Sequence, residues 1–389
     1  MTLTLPLPDI AAQFQVRRDI VFLNHGSYGA CPRPVFEAYQ NWQRELEYQP
    51  VEFLGRRVPG LLADARAALA GYLGTRADDI VFVPNATYGI NAVARSLELQ
   101  PGDEVLTTDH EYGAVDRTWR FICGQQGAAY INQPVALPLH DPAEVVEQLW
   151  AGVTPRTKVI SISHITSPTA LIFPVTEICR RAREAGILTV VDGAHAPGQI
   201  NLDLDAIGAD FYTGNCHKWL CSPKGAAFLY ARPEVKNLLK PLVVSWGYES
   251  RTPSGSNFQD YFGWTGTADP SAYLSVPAAI AFLNEYNWPE VRLACHRLLL
   301  DASRRMSELT EVEPIVPDTT AWWMQLRALP LPQCNAAETQ HRLYDEYQVE
   351  VPIVEWNGRQ FVRVSIQAYT KPSDIDRLVE AIAAIVMDR

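Results

Sequence analysis

Asp192 and, twenty-six residues further on, Lys218 are of types that can do chemistry together, and Asn215 and His217 stand just before the lysine. Ile187 to Val191 reads ILTVV, an apolar run rich in β-branched residues that predicts a buried parallel strand. Asp192 then stands at the carboxyl end of that strand, where open α/β sheets bind their ligands. A second strand-like run, Asp210 to Thr213, would carry Asn215, His217 and Lys218 to a neighbouring strand end. A carboxylate and an amine presented in this way suit pyridoxal phosphate. The lysine forms a Schiff base with the aldehyde, and the carboxylate keeps the pyridine nitrogen protonated so that the ring can absorb electrons. The same residues have plainer uses: Asp192 as a helix N-cap, His195 as a hydrogen-bonded core residue, Lys218 as a surface charge.

The words VDGAHAPG and GNCHKW, which hold these residues, resemble the class V aminotransferase family, and most closely its isopenicillin N epimerase-like branch. The likeness extends over nearly the whole chain. It implies an α/β protein of fold-type I, the PLP-dependent transferase architecture: a large domain with a mainly parallel sheet flanked by helices, plus a smaller C-terminal α+β domain. The expected division is an N-terminal arm over 1–20 that packs with the small domain, a large PLP-binding domain over 21–268 and a small domain over 269–389. The resemblance also implies pyridoxal 5′-phosphate as cofactor, an amino acid or small peptide as substrate, and a homodimer with shared active sites.

Other elements must bring further groups to the same place. Ile20 to Leu23 reads as a short strand, followed by a turn with two glycines over Asn24 to Gly29. In the family this turn resembles a loop on the substrate side of the cofactor, which makes Asn24, His25 and Ser27 candidates for substrate contact. Ile80 to Val83 is strand-like, and after Thr87 the apolar residues Ile90, Val93, Ala94 and Leu97 recur with helical spacing. A strand that turns at once into a helix exposes free N–H groups suited to phosphate. Asn85 serves equally well as a plain N-cap, and the resemblance of Pro-Asn-Ala-Thr to the family's phosphate turn assigns Ala86 and Thr87 to the cofactor phosphate. Tyr112 aligns with the family's ring that stacks on the cofactor, two residues after His110. In SHITSPTALIFP many members have Asn where Pro168 stands here, so His195 is the candidate for the cofactor's hydroxyl edge. TGTADPSA resembles a segment that reaches across a dimer interface, where Thr267 would touch the partner's phosphate. Arg363, among the alternating apolar residues of QFVRVSIQ, would be costly unpaired. In the family such an arginine holds the substrate's α-carboxylate as a bidentate pair; an internal salt bridge is the other reading.

Composition limits the classes open to the chain. Its 389 residues exceed one simple core and predict more than one domain. A net charge of −11 argues against nucleic acid, which requires clustered Lys and Arg. No apolar stretch reaches a membrane span, and MTLTLPLPDI lacks the basic start and apolar core of a signal peptide. Seven scattered cysteines without a CxxC pair suit reduced thiols in a cytoplasm rather than disulfides or a metal site. From Asp141 onward strands and helices alternate, which implies right-handed crossovers and a mainly parallel sheet.

Three functions follow. The first is epimerase-like chemistry at Cα, with Lys218 and Asp192 catalytic and Tyr112, assisted by His110, as proton donor on the opposite face. The second is C–S lysis by β-elimination, as in hercynylcysteine sulfoxide lyase, with transamination as a further outcome. A non-catalytic PLP-binding regulator is the third, and Arg363 and the absence of a basic DNA-binding region count against it. For a cysteine desulfurase, Cys334 lacks the small flexible residues that a persulfide carrier needs.

Overall fold

The computed structural model describes Leu5 and residues 7–387. Its strands in chain order are β1 Val21–Phe22, β2 Ile80–Val83, β3 Glu104–Thr108, β4 Ala129–Gln133, β5 Thr157–Ser163, β6 Leu188–Asp192, β7 Phe211–Asn215, β8 Ala227–Ala231, β9 Leu326–Leu331, β10 Val349–Glu350, β11 Ile353–Trp356 and β12 Arg359–Ser365. Seven of these make one sheet in the order β2-β8-β7-β6-β5-β3-β4. The pairs β7–β6, β6–β5, β5–β3 and β3–β4 are parallel, whereas β8 runs antiparallel to both of its neighbours.

Local chemistry explains the connections. Asp141 and Glu144 form a capping box around the start of helix Pro142–Trp150, which carries the chain from β4 to β5. Helix Val175–Glu184 returns it to β6, burying Val175, Ile178, Cys179 and Ala182 against the sheet. Helix Gly113–Gln126 buries Val115, Trp119 and Ile122, the apolar face its spacing predicts. The stretch GYESRTPSGSNFQDYFGWTG, rich in Gly and Ser and without apolar periodicity, nonetheless contains helix Asn257–Gly263, whose N-cap Ser256 accepts the Gln259 N–H. Seven residues are too few for a periodic signal.

A second sheet, β11-β12-β9, is antiparallel throughout and sets Arg363 opposite Ala328. Leu7 and Phe14 bind to this part of the molecule. Leu7 N–H donates to Ala368 O at 3.1 Å, and the Phe14 ring meets Tyr369 edge-on at 5.1 Å. The expected strand at residues 20–23 is only two residues long, and it pairs in parallel with β10 rather than joining the large sheet.

The register of the large sheet places the chemistry. Ser163 on β5 pairs with Asp192 on β6, and Asp192 pairs with Thr213 on β7, so three strand ends lie side by side. Among the described residues no helix is long and apolar enough to cross a membrane, and no group of three or more His, Cys, Asp and Glu could hold a metal ion.

Candidate active site

Asp192 closes β6 with its side chain buried, and its Oδ1 accepts the Ala194 N–H at 2.9 Å. Burial pushes its pKa up, opposed by that hydrogen bond and by the Lys218 charge. A buried carboxylate with so little compensation calls for a cationic partner, and a pyridinium N–H fits that need.

Lys218 follows β7 by three residues, and its Nζ lies 3.0 Å from His195 Nε2. Desolvation, aided by the nearby Arg363 charge and opposed by Asp192, lowers its pKa to about 7. About half of the amine is therefore neutral and available as a nucleophile at pH 7. His195 is buried too, and its Nδ1 accepts the Trp219 indole N–H at 3.3 Å. A neutral imidazole whose Nδ1 accepts carries its proton on Nε2, directed at the lysine. Gly198, with φ +87°, allows this loop to cross Trp219 closely: a Cβ there would lie 2.2 Å from the Trp219 backbone.

The phosphate turn differs in one detail from expectation. Helix Ala86–Ser96 is capped by Asn85, whose Oδ1 accepts the Tyr88 N–H at 2.8 Å. Ala86 N–H, assigned above to the cofactor phosphate, instead donates to Asn215 Oδ1 at 2.9 Å, so it is already engaged. Thr87 remains at the open helix start. Asn215 thus orders the turn, and His217 donates its Nδ1–H to Ala226 O at 3.1 Å, which leaves Nε2 of the neutral ring as an acceptor.

Arg363 is buried on β12. Its Nη1 donates to Ser167 O at 2.7 Å and to Ser167 Oγ at 3.2 Å, and its Nη2 donates to Ser27 Oγ at 3.2 Å. Nε is buried without a partner. Among the described residues no carboxylate pairs with this guanidinium, whose pKa burial lowers to about 10. The internal salt bridge is therefore not what holds it. Ser167, which sequence reasoning did not single out, lies beside Pro168 and supplies two of these contacts; the only available signal was its place in the loop expected at the cofactor's hydroxyl edge.

Two groups expected at the substrate face elsewhere. His25 is fully buried, with Nδ1 3.0 Å from Tyr369 Oη and Nε2 3.1 Å from Lys218 O. Both nitrogens are taken behind the lysine, so its expected substrate contact is corrected to a contact with the lysine backbone. Asn24 likewise binds protein groups: Nδ2 donates to Glu350 Oε1 at 2.8 Å and Oδ1 accepts the Ser27 hydroxyl at 2.5 Å. Of this turn, Ser27 is the residue that touches Arg363.

Tyr112 is 48% exposed at the start of helix Gly113–Gln126, and its phenol interacts electrostatically with Arg363. His110 cannot assist it. That imidazole is buried with Nδ1 2.7 Å from Thr169 Oγ1 and Nε2 2.8 Å from Val135 O, so neither nitrogen is left for the phenol. Between them lies Glu111, also missed in the sequence, a buried carboxyl that accepts Thr108 Oγ1–H at 2.7 Å and Ser163 Oγ–H at 2.6 Å. Desolvation raises its pKa to about 8, with Asp192 adding to the rise. Thr267 is exposed, in a hollow it shares with Pro50, Val51, Trp246 and Trp264.

The family model for class V aminotransferases matches residues 22–378. The chain belongs to the class V aminotransferase family. Isopenicillin N epimerase of Amycolatopsis lactamdurans is 37% identical over 95% of this chain and 97% of its own length. A putative L-cysteine desulfhydrase of Oryza sativa subsp. japonica is 29% identical over 97% of this chain and 86% of its own. Among solved structures, a C-DES variant with glycine covalently linked to its PLP cofactor superposes with a TM-score of 0.82 at 21% identity, over 96% of this chain and 99% of that one. As a member of this family the chain is a pyridoxal-phosphate-dependent enzyme of fold-type I that acts at the Cα of an amino-acid substrate.

Proposed function

We propose that this enzyme inverts the configuration at Cα of an amino acid or small peptide, with Lys218 as the residue that carries the cofactor and Arg363 as the clamp for the substrate's α-carboxylate. The observation that carries the reading is the buried guanidinium of Arg363, which holds only neutral oxygens and keeps one N–H free. A cation so placed favours a carboxylate strongly. Bound pyridoxal phosphate supplies the aldehyde for the substrate amine and a ring that takes up the electrons released at Cα. Asp192 would hold the proton on the ring nitrogen, and His195 would stand at the ring's hydroxyl edge. Thr87, Asn215 and His217 order the phosphate site. The Lys218 amine, with its pKa lowered to about 7, would remove the Cα proton from one face. Tyr112 would cover the opposite face and deliver its own phenolic proton from there.

The similarity to isopenicillin N epimerase supports this outcome. Likeness to a cysteine desulfhydrase supports a second one, in which the same proton abstraction is followed by loss of a β-sulfur group. A panel of L-amino acids, S-substituted cysteines and their sulfoxides, incubated in heavy water, separates them. Cα exchange with formation of the D-enantiomer is expected. Pyruvate and ammonia from the sulfur substrates, without any D-enantiomer, would replace epimerisation by elimination.

The enzyme acts as a homodimer in the cytoplasm, where its seven free thiols stay reduced. Thr267 would reach the partner's phosphate site, and the apolar surface beside it, with Trp246 84% and Val51 74% exposed, suits such an interface. Mixed dimers of Lys218→Ala and Thr267→Ala subunits should recover one site with both native residues; a fully active monomer would refute the sharing.

A further inference from the structure

We propose that the turn over residues 24–29 is a mechanical link between the carboxylate clamp and the catalytic amine, with His25 as the residue that positions Lys218 in response to Arg363. The inference rests on the reading of Lys218 as the cofactor-bearing residue and adds to it how the clamp is felt there.

A single helical turn, His25–Tyr28, touches both groups. On one side, Ser27 Oγ receives Arg363 Nη2–H at 3.2 Å while donating to Asn24 Oδ1 at 2.5 Å, so the hydroxyl is fixed in direction. On the other, His25 Nε2 lies 3.1 Å from Lys218 O. A carbonyl only accepts, so the bond to Lys218 O places the proton on Nε2, with Nδ1 accepting from Tyr369 Oη at 3.0 Å; Gln367 Nε2, 3.3 Å from the same ring nitrogen, donates to it only in the other tautomer, which gives up the bond to Lys218. Complete burial keeps the ring neutral, with a pKa of about 3, which preserves this donor and acceptor pattern at any working pH.

The turn is tied at both ends. Gly26 N–H donates to Ser365 Oγ at 3.0 Å, and Ser365 N–H to Leu23 O at 2.9 Å, two residues from Arg363 on β12. Gly29, at φ +69°, lies directly on the lysine loop: a Cβ there would come within 1.9 Å of His217 O and 2.9 Å of Lys218 Cα. There is no slack in which a shift of the turn could be absorbed. When a substrate carboxylate takes the Arg363 N–H that Ser27 now occupies, Ser27 is released, the turn resettles, and the Lys218 carbonyl moves with His25.

The test uses the holoenzyme with Ser27→Ala, with His25→Met, which fills the volume but cannot donate, and with His25→Gln, whose amide N–H can reach the same carbonyl. Borohydride reduction and peptide mapping first establish that Lys218 bears the cofactor in each. The pH titration of the visible band is then recorded with and without propionate, which can occupy Arg363 but has no amine to react. Wild type and His25→Gln should show the same propionate-induced shift, and Ser27→Ala and His25→Met a smaller one. With His25→Met, kcat should fall about tenfold while KM stays within about twofold, since misplacing a reacting group weakens chemistry more than binding. An equal shift in all four proteins, or His25→Gln failing as far as His25→Met, would overturn the link and leave His25 a packing residue. A label on another lysine would instead remove the underlying assignment, and the inference with it.

Discussion

Lys218 Nζ and His195 Nε2 lie 3.0 Å apart, and the Trp219 indole N–H on His195 Nδ1 decides what passes between them. Because Nδ1 accepts, the imidazole offers an N–H to an amine that is itself about half neutral at pH 7. Trp219→Phe frees Nδ1 and allows the other tautomer. We expect that variant to bind the cofactor and to lose about tenfold or more in kcat, the scale on which partners that orient an imidazole act in metal sites. Steady-state kinetics of the reconstituted protein check this; an unchanged kcat would show that the tautomer does not matter.

The lowered pKa of Lys218 sets how the protein takes up its cofactor. Only the neutral amine attacks the aldehyde, and its fraction rises with pH until the pKa of about 7 is passed. Attachment of pyridoxal phosphate to the cofactor-free protein should therefore accelerate about tenfold per pH unit below that point and level off above it. Rapid-mixing absorbance would reveal the profile. Acceleration that continued to pH 10 would place the amine at its ordinary value.

Arg363 should act on substrate binding before chemistry. Arg363→Gln keeps some hydrogen-bonding capacity but removes the charge, and losing one side of a desolvated charged pair costs about 2 kcal/mol or more, roughly thirtyfold. KM for an α-amino acid should rise by at least that factor, while the matching amine without a carboxylate should bind wild type and variant alike. A KM that barely moved would transfer the clamp to another group.

Glu111 makes stability depend on pH. Its folded pKa is raised to about 8, so between the ordinary value of 4.5 and that value the folded state holds a proton that the unfolded chain has already released. Across that window wild type loses stability as pH rises, by up to about 1.4 kcal/mol per unit. Glu111→Gln carries no such proton and should become progressively more stable than wild type from pH 5 to pH 8, with the difference constant above. Parallel denaturation curves at each pH would contradict the assignment.

The sequence determined the order of strands and helices, the strand end at Asp192, the lysine loop after β7 and the helix start after Asn85, because each is written in local periodicity and in polar residues beside apolar runs. It also marked Arg363 as a buried cation in a strand, which burial and alternation alone make conspicuous. Only the tertiary structure decided which polar groups face the site. Ala86 N–H is spent on Asn215, His110 on Thr169 and Val135, and His25 on Tyr369 and the lysine carbonyl. Ser167, Ser27 and Glu111 acquire their roles from partners 52 to 336 residues away in the chain. The reason is physical: a hydrogen bond is made at about 3 Å with a definite direction, and spacing along the chain carries no information on which of two neighbouring polar side chains the packed sheet will turn inward.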